Sequence, residues 1–423
     1  MLLLRVFGMG CFASFSTWDS RCLRRGPHAR AVPPMVRTYA PRQHRAHAFA
    51  APRRCPRTTP MQQFAFVHLV QLAWTLHVEA PPPSHRRIES MTLLSVPIID
   101  LAPFFSGTPA GKAEVARKVD EACRSIGFLV ITNHGIAPEL IARVSAASRE
   151  FFALPLAEKR KVDRPRDDAV RGYSAVGEEG LSYSLEEAAP GDLKESFSIG
   201  PSNVPTDEYH RGVAAGPHFE PNVWPQLPGF QPAFDDYFEA MSDLSRSLMR
   251  IFALALELPE TFFDDKIDKH ISMFRVLSYP PQTEAALPGQ LRAGAHSDYG
   301  SLTVVLPDDK GLQVFNKAGQ WVDVPMVEGG LVVNIADLMM QWTNDLWVST
   351  LHRVVNPPPD AASTNRRQSL VFFHQPNYDA MVECLPSCLA PGEAPKYAPI
   401  SSGDHLKSKF LKQTTFGGTK VTA

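Results

Sequence analysis

From Ile271 onward the apolar residues alternate with a period of two, and this confines the second half of the chain to β-structure. The runs MFRVLSYP, SLTVVLP, LQVF, WVDVP, GLVVNI, STLHRVV and SLVFFHQ are short, rich in β-branched and aromatic residues, and separated by Gly, Pro and Asn turns. About seven or eight such strands predict a jelly roll, two sheets closed against each other. The same stretch concentrates unusual polar residues. His296 and Asp298 stand two apart, so on a strand both reach one point from one face. His352 follows 56 residues later, where a returning strand can bring it to that point. Two imidazoles and one carboxylate leave three positions open on an octahedral ion, a donor set that suits ferrous iron. Arg367 and Ser369, again two apart, would place a guanidinium fork and a hydroxyl on one face, where a carboxylate can be gripped bidentately.

An acid two residues after a histidine is weak evidence alone, because His77 with Glu79 and His218 with Glu220 share that spacing. Neither of those pairs lies among strands or is followed by both a distant histidine and an Arg-x-Ser. Further upstream, a helical pattern over residues 113–126, the segment GFLVITNHGI and a second helical pattern with Pro138 at its first turn form a helix–strand–helix unit.

On these residues the chain resembles the iron(II)/2-oxoglutarate-dependent dioxygenase superfamily, in the branch that includes isopenicillin N synthase and the plant flavonoid and gibberellin oxidases. The likeness runs over about residues 93–415. The resemblance implies a mainly β fold with flanking helices around a double-stranded β-helix (jelly-roll) core. It implies Fe(II) on His296, Asp298 and His352, with 2-oxoglutarate chelating through its 1-carboxylate and 2-oxo oxygens. Arg367 would pair with the far carboxylate and Ser369 would donate a hydrogen bond to it. Tyr279 would contact the same carboxylate, although the family's usual Asn-x-Tyr-Pro reads Leu277-Ser278-Tyr279-Pro280 here. O2 is then the oxidant, succinate and CO2 the coproducts, and ascorbate an expected reductant.

The expected reaction is hydroxylation of a small molecule. Desaturation, ring closure or ethylene formation on the same scaffold stay open, as does a silent metal-binding jelly roll. Asn334 and Asp337, in GLVVNIADL, match a family segment that usually ends Gly-Asp, and they read as architecture. Arg353 reads as a strand tie, and His134 and His374 as structural histidines.

The rest of the chain divides around this core. Residues 1–90 hold thirteen Arg, no Lys and only Asp19, Glu79 and Glu89, a net of +10 that leaves −11 for residues 91–423. An Arg- and Pro-rich leader of this kind reads as a disordered extension or an organelle transit peptide. The apolar run at 61–78 carries three Gln and two His, too polar for a membrane span. We therefore expect a cytoplasmic protein, or an imported one if the leader is a transit peptide, with no membrane partner. The acidic remainder argues against nucleic acid. Six scattered cysteines form no zinc pattern and read as reduced thiols.

Residues 91–231 are the expected N-terminal region, and residues 163–231 within it read as loop-rich. There RGYSAVGEE and DLKESFSIGP resemble segments over the site's mouth, with Arg171 and Tyr173 either substrate contacts or surface-loop residues. Residues 232–268 carry a buttressing helix at 234–258. Residues 269–378 are the catalytic core, and 379–423 a C-terminal segment with a closing helix at 401–412.

Overall fold

The computed structural model describes residues 95–166, 169–181, 190–362 and 364–417. The expectations for residues 1–90, including the run at 61–78, lie outside the described residues. In chain order the strands are β1 (Ile98–Asp100), β2 (Phe128–Thr132), β3 (Gly172–Ser174), β4 (Glu195–Ile199), β5 (Met273–Tyr279), β6 (Ala293–His296) and β7 (Leu302–Pro307). They continue with β8 (Leu312–Phe315), β9 (Trp321–Asp323), β10 (Leu331–Ile335), β11 (His352–Val354), β12 (Arg367–His374) and a small pair, β13 (Met381–Val382) with β14 (Ile400–Ser401). An eight-stranded sheet runs β1-β2-β10-β7-β12-β5-β4-β3, and a four-stranded sheet runs β6-β11-β8-β9. Within the large sheet only β1 and β2 pair in parallel.

Alternation along each strand separates two cores. Phe128, Val130, Val332 and Val371 pack with Ala293, Leu312, Val314 and Val354 of the small sheet, filling the space between the sheets. Their neighbours Leu129, Ile131, Leu331, Val333, Leu370 and Phe372 point the opposite way, into a larger core shared with helices. Full burial of each such side chain contributes about 1.5–3 kcal/mol. A slip of one residue would exchange the two faces, so the pattern fixes the register. Residues 303, 334, 367 and 369 fall on the inner face by the same alternation, and they are polar.

The helices are α1 (Ala102–Phe105), α2 (Pro109–Ser125), α3 (Pro138–Phe152), α4 (Leu156–Lys159), α5 (Glu208–Arg211), α6 (Phe230–Ala255), α7 (Asp264–Ile267), α8 (Asp337–Trp342) and α9 (Ser402–Gly417). Helix α2 starts earlier than its apolar stripe predicts, because the Thr108 hydroxyl accepts the Gly111 N–H at 3.2 Å and Pro109 occupies the first turn. Gly127 follows it at φ +70°, and a Cβ there would lie 2.2 Å from the Val348 carbonyl, so only glycine fits. Helix α6 buries Phe234, Tyr237, Phe238, Met241, Leu244, Leu248 and Phe252 against the large sheet's outer core. It spans Phe230–Ala255, starting and ending earlier than the expected 234–258, with Glu257 in a left-handed turn at φ +58°.

The loop-rich region 163–231 also supplies two short strands, β3 and β4, which extend the large sheet beyond β5. Strand β4 escapes a hydrophobic scan because Glu195, Ser196 and Ser198 are polar yet buried. Glu195 is satisfied inside the protein, by Lys159 Nζ at 2.6 Å, Tyr173 Oη at 2.7 Å and Ser278 Oγ at 3.3 Å.

That network also relocates Arg171 and Tyr173. Tyr173 is buried in the helix-facing core against Phe151, and Arg171 is buried while donating to the His218 carbonyl. Both hold structure, and neither sits in an exposed loop. Among the described residues no helix is long and apolar enough to cross a membrane.

Candidate active site

Strand pairing brings the two histidines together. His352 on β11 sits directly across from His296 on β6, and their ring centroids are 4.2 Å apart. Asp298, just past β6, places its carboxylate between them. Oδ1 lies 3.8 Å from His296 Nε2 and Oδ2 lies 3.8 Å from His352 Nε2. One donor atom from each residue falls within 4.8 Å of the other two, and all three residues are buried. Neighbouring ligands on an octahedral ion are about 3 Å apart for bonds of about 2.1 Å, so closing on a metal needs the donor atoms to draw together by less than about 2 Å.

The hydrogen bonds around the triad choose the tautomers. His296 Nδ1 donates to the Gly294 carbonyl at 2.8 Å, and His352 Nδ1 donates to the Thr350 carbonyl at 3.2 Å. A carbonyl only accepts, so the proton sits on Nδ1 and the Nε2 lone pair faces the carboxylate. Burial, and then the neighbouring His352, hold the His296 imidazole well below its ordinary range. It is therefore neutral, as a metal ligand must be. Burial pushes the Asp298 carboxyl up, but the two imidazoles and the Asn334 amide bring it below the ordinary value.

The supporting contacts come from several elements. Asn334 Nδ2 on β10 donates to Asp298 Oδ2 at 2.7 Å, and the Asp337 N–H at the head of α8 donates to the Asp298 carbonyl at 2.9 Å. Asp192 accepts the Gly294 N–H at 2.9 Å, which ties the segment ahead of β4 to the strand that carries His296. Lys194 donates to the other oxygen of Asp192. Asn334 was expected to be architectural and instead touches the site. Its signal was available: it is the polar residue on the inner face of an otherwise apolar strand.

A second cluster lies across the space between the sheets, on the inner face of the large one. Arg367 pairs across the ladder with Tyr279 on β5, and its guanidinium is 5.0 Å from that ring's centroid. Its Nε donates to the carbonyls of Asp309 and Lys310, both at 3.1 Å, and Nη1 donates to Ser369 Oγ at 2.6 Å. Nη2 has no partner among the described residues. Arg367, Ser369 and Tyr279 are all buried, and the adjacent Arg366 takes no part. A buried guanidinium with no carboxylate beside it is a ready anion site.

His134, His374 and Arg353 make other contacts. His134 bonds the Gly329 carbonyl at 3.0 Å and His374 bonds Ser301 Oγ at 2.6 Å. Arg353 bonds Gln313 Oε1 at 3.0 and 2.9 Å and covers the Trp321 ring at 4.1 Å, which ties β11 to β8 and β9.

Residues 96–227 match the family described as non-haem dioxygenase in morphine synthesis N-terminal, and residues 270–376 match the 2OG-Fe(II) oxygenase superfamily. The chain is 36% identical over 319 residues to an Emericella nidulans 2-oxoglutarate-Fe(II) type oxidoreductase, hxnY, across 74% of this chain and 89% of that one. It is 33% identical over 333 residues to the rice (Oryza sativa subsp. japonica) homoarginine-6-hydroxylase 2-ODD-233, across 75% of this chain and 97% of the other. Among solved structures it resembles a full-length Neurospora crassa protein crystallised in complex with alpha-KG and thymine. That match has a TM-score of 0.66 at 32% identity and covers 77% of this chain and 97% of the other. Likeness of this extent, spanning both the helical region and the jelly roll, makes the chain a member of the iron(II)/2-oxoglutarate-dependent dioxygenase superfamily and an oxidoreductase that uses both.

Proposed function

We propose that this enzyme oxidises a small-molecule substrate, most simply by hydroxylation, with iron held by His296, Asp298 and His352 and 2-oxoglutarate gripped by Arg367, Ser369 and Tyr279. The observation that carries the proposal is that both clusters are buried in the one space between the two sheets. An acceptor set lies at one end and a donor set at the other. Small-molecule chemistry is supported by the relatives. The N. crassa structure contains thymine, and the rice enzyme is named for homoarginine.

The bound iron supplies the O2 chemistry that decarboxylates 2-oxoglutarate to succinate and CO2 and oxidises the substrate. The chain's own residues do the rest. The Gly294 and Thr350 carbonyls keep both imidazoles in the ligating tautomer. Asn334 restrains the carboxylate so that only one oxygen is readily available. Arg367 presents its unspent Nη2 donors to the far carboxylate, Ser369 extends that contact, and Tyr279 shields the guanidinium from water. The apolar inner core of Val130, Val332, Val314 and Val354 lowers the local dielectric and strengthens the charge pairing.

The test is succinate formation by the full chain with Fe(II), O2, ascorbate and 2-oxoglutarate, first alone and then with a panel of small metabolites. Substrate-stimulated succinate, one equivalent per oxidised product, is the expected result. Product without succinate would replace this reading with an oxidase that dispenses with 2-oxoglutarate.

A further inference from the structure

Arg367 is not the only guanidinium buried at the anion end of the site. Arg292, immediately before β6, is 2% exposed, and its guanidinium lies 5.8 Å from the centroid of the same Tyr279 ring. Its Nη1 donates to Asn365 Oδ1 at 2.6 Å and its Nη2 to the Asn365 carbonyl at 2.7 Å. Its Nε is buried with no hydrogen-bond partner among the described residues. Among the described residues neither arginine forms an ion pair with a carboxylate. Asp309 accepts from Asn365 Nδ2 at 2.8 Å, and its charge acts on both guanidinium groups only from a distance. Two like charges thus share one desolvated pocket, and burial followed by the Arg367 charge lowers the Arg292 pKa.

Such a pair is unfavourable until an anion joins it. The topology adds a mechanical link. Arg292 belongs to the segment that carries His296 in the small sheet, while Asn365 stands two residues ahead of Arg367 in the large one. Gripping Asn365 by both its side chain and its carbonyl, Arg292 anchors the end of the long β11–β12 loop where it enters the clamp.

Resting on the clamp reading above, we propose that Arg292 is a specificity-determining residue of the cosubstrate site. It holds the Asn365–Arg367 segment and supplies the second positive charge that selects a dicarboxylic over a monocarboxylic 2-oxo acid. It acts on the far carboxylate through Arg367 and the local field, and the metal-chelating end of the cosubstrate does not depend on it.

The experiment is anaerobic calorimetry on the full chain loaded with Mn(II), titrated with 2-oxoglutarate and with 2-oxobutyrate, which lacks the far carboxylate. Wild type should prefer 2-oxoglutarate. Arg292→Gln should weaken 2-oxoglutarate at least about tenfold while changing 2-oxobutyrate by less than about threefold, and Arg292→Lys should recover part of the loss. Asp309→Asn removes the nearby negative charge, keeps an acceptor for Asn365 Nδ2 and leaves Arg292 in place, and should widen the same preference even if Arg292→Gln fails to fold. Equal weakening of both acids, or of neither, overturns the proposal and leaves the Arg367 clamp standing. A wild type that does not distinguish the two acids overturns the clamp reading, and this inference with it.

Discussion

The two ends of the space between the sheets are built from opposite charges but oriented by the same device. At the metal end, the Asp298 carboxylate set between two imidazoles makes a donor set for a cation. It is carried on β6 and β11, strands of four and three residues in the small sheet. At the anion end, two guanidinium groups that form no ion pair among the described residues, tempered from a distance by Asp309, make a pocket for an anion, anchored on the eight-residue β12 in the middle of the large sheet. At both ends main-chain carbonyls take the side-chain N–H groups: Gly294 and Thr350 for the histidines, Asp309 and Lys310 for Arg367. The difference shows where the missing charge must come from. Each end is incomplete alone, and a cation at one and an anion at the other complete them.

The comparison breaks first at the metal end. Alanine at His296, Asp298 or His352 should abolish metal retention and reduce turnover to background. Metal content after gel filtration and a succinate assay would check this, and a fully active variant would refute the site. At the anion end the expected effect is smaller and confined to one ligand. Arg367→Ala should raise the 2-oxoglutarate requirement by about 3–5 kcal/mol, the cost of breaking a buried charge pair on one side, with metal content unchanged. Asn334→Ala sharpens the metal end, because loss of a contact to a ligating carboxylate typically costs roughly 10–100-fold in metal affinity.

Away from both ends the effects fall to stability alone. Burial, and then the Arg246 charge, hold His270 at about 4 against an ordinary 6.5. The unfolded chain therefore binds more protons between those values. The stability this neutral histidine contributes is fully present above about pH 6.5 and is lost as pH falls towards 4. His270→Phe, which keeps the stack on Phe238, should flatten the fall in unfolding free energy between pH 7 and 5, measured by denaturant titration, by an amount on the order of 1 kcal/mol. The smallest effect is expected at Tyr173. Tyr173→Phe removes one donor from buried Glu195, costs about 1 kcal/mol and leaves substrate KM unchanged, whereas a raised KM would return this residue to the substrate site.

Much of this was legible because it is local and periodic. Alternation over β5, β7, β10 and β12 gives both the strands and the face each residue joins, and the i, i+2 spacings of His296–Asp298 and Arg367–Ser369 follow from it. What stayed hidden depends on partners far along the chain. Strand β4 is a buried strand written in polar letters, and its burial is intelligible only once Lys159 and Tyr173 are beside it. Arg292 sits in a loop-like GQLRAG segment, and nothing local says that Asn365, 73 residues away, will take both of its terminal nitrogens. Arg171 misled for the converse reason, since a charged residue in a Gly-rich segment looks exposed until the His218 carbonyl is found against it.

The most direct test of the central claim is an anaerobic spectroscopic titration of the ferrous full-length protein with 2-oxoglutarate. We predict a weak visible charge-transfer band that saturates with one equivalent bound, is absent from Asp298→Ala, and needs much more 2-oxoglutarate in Arg367→Ala. Bound iron that gives no such band at any 2-oxoglutarate concentration would contradict the account.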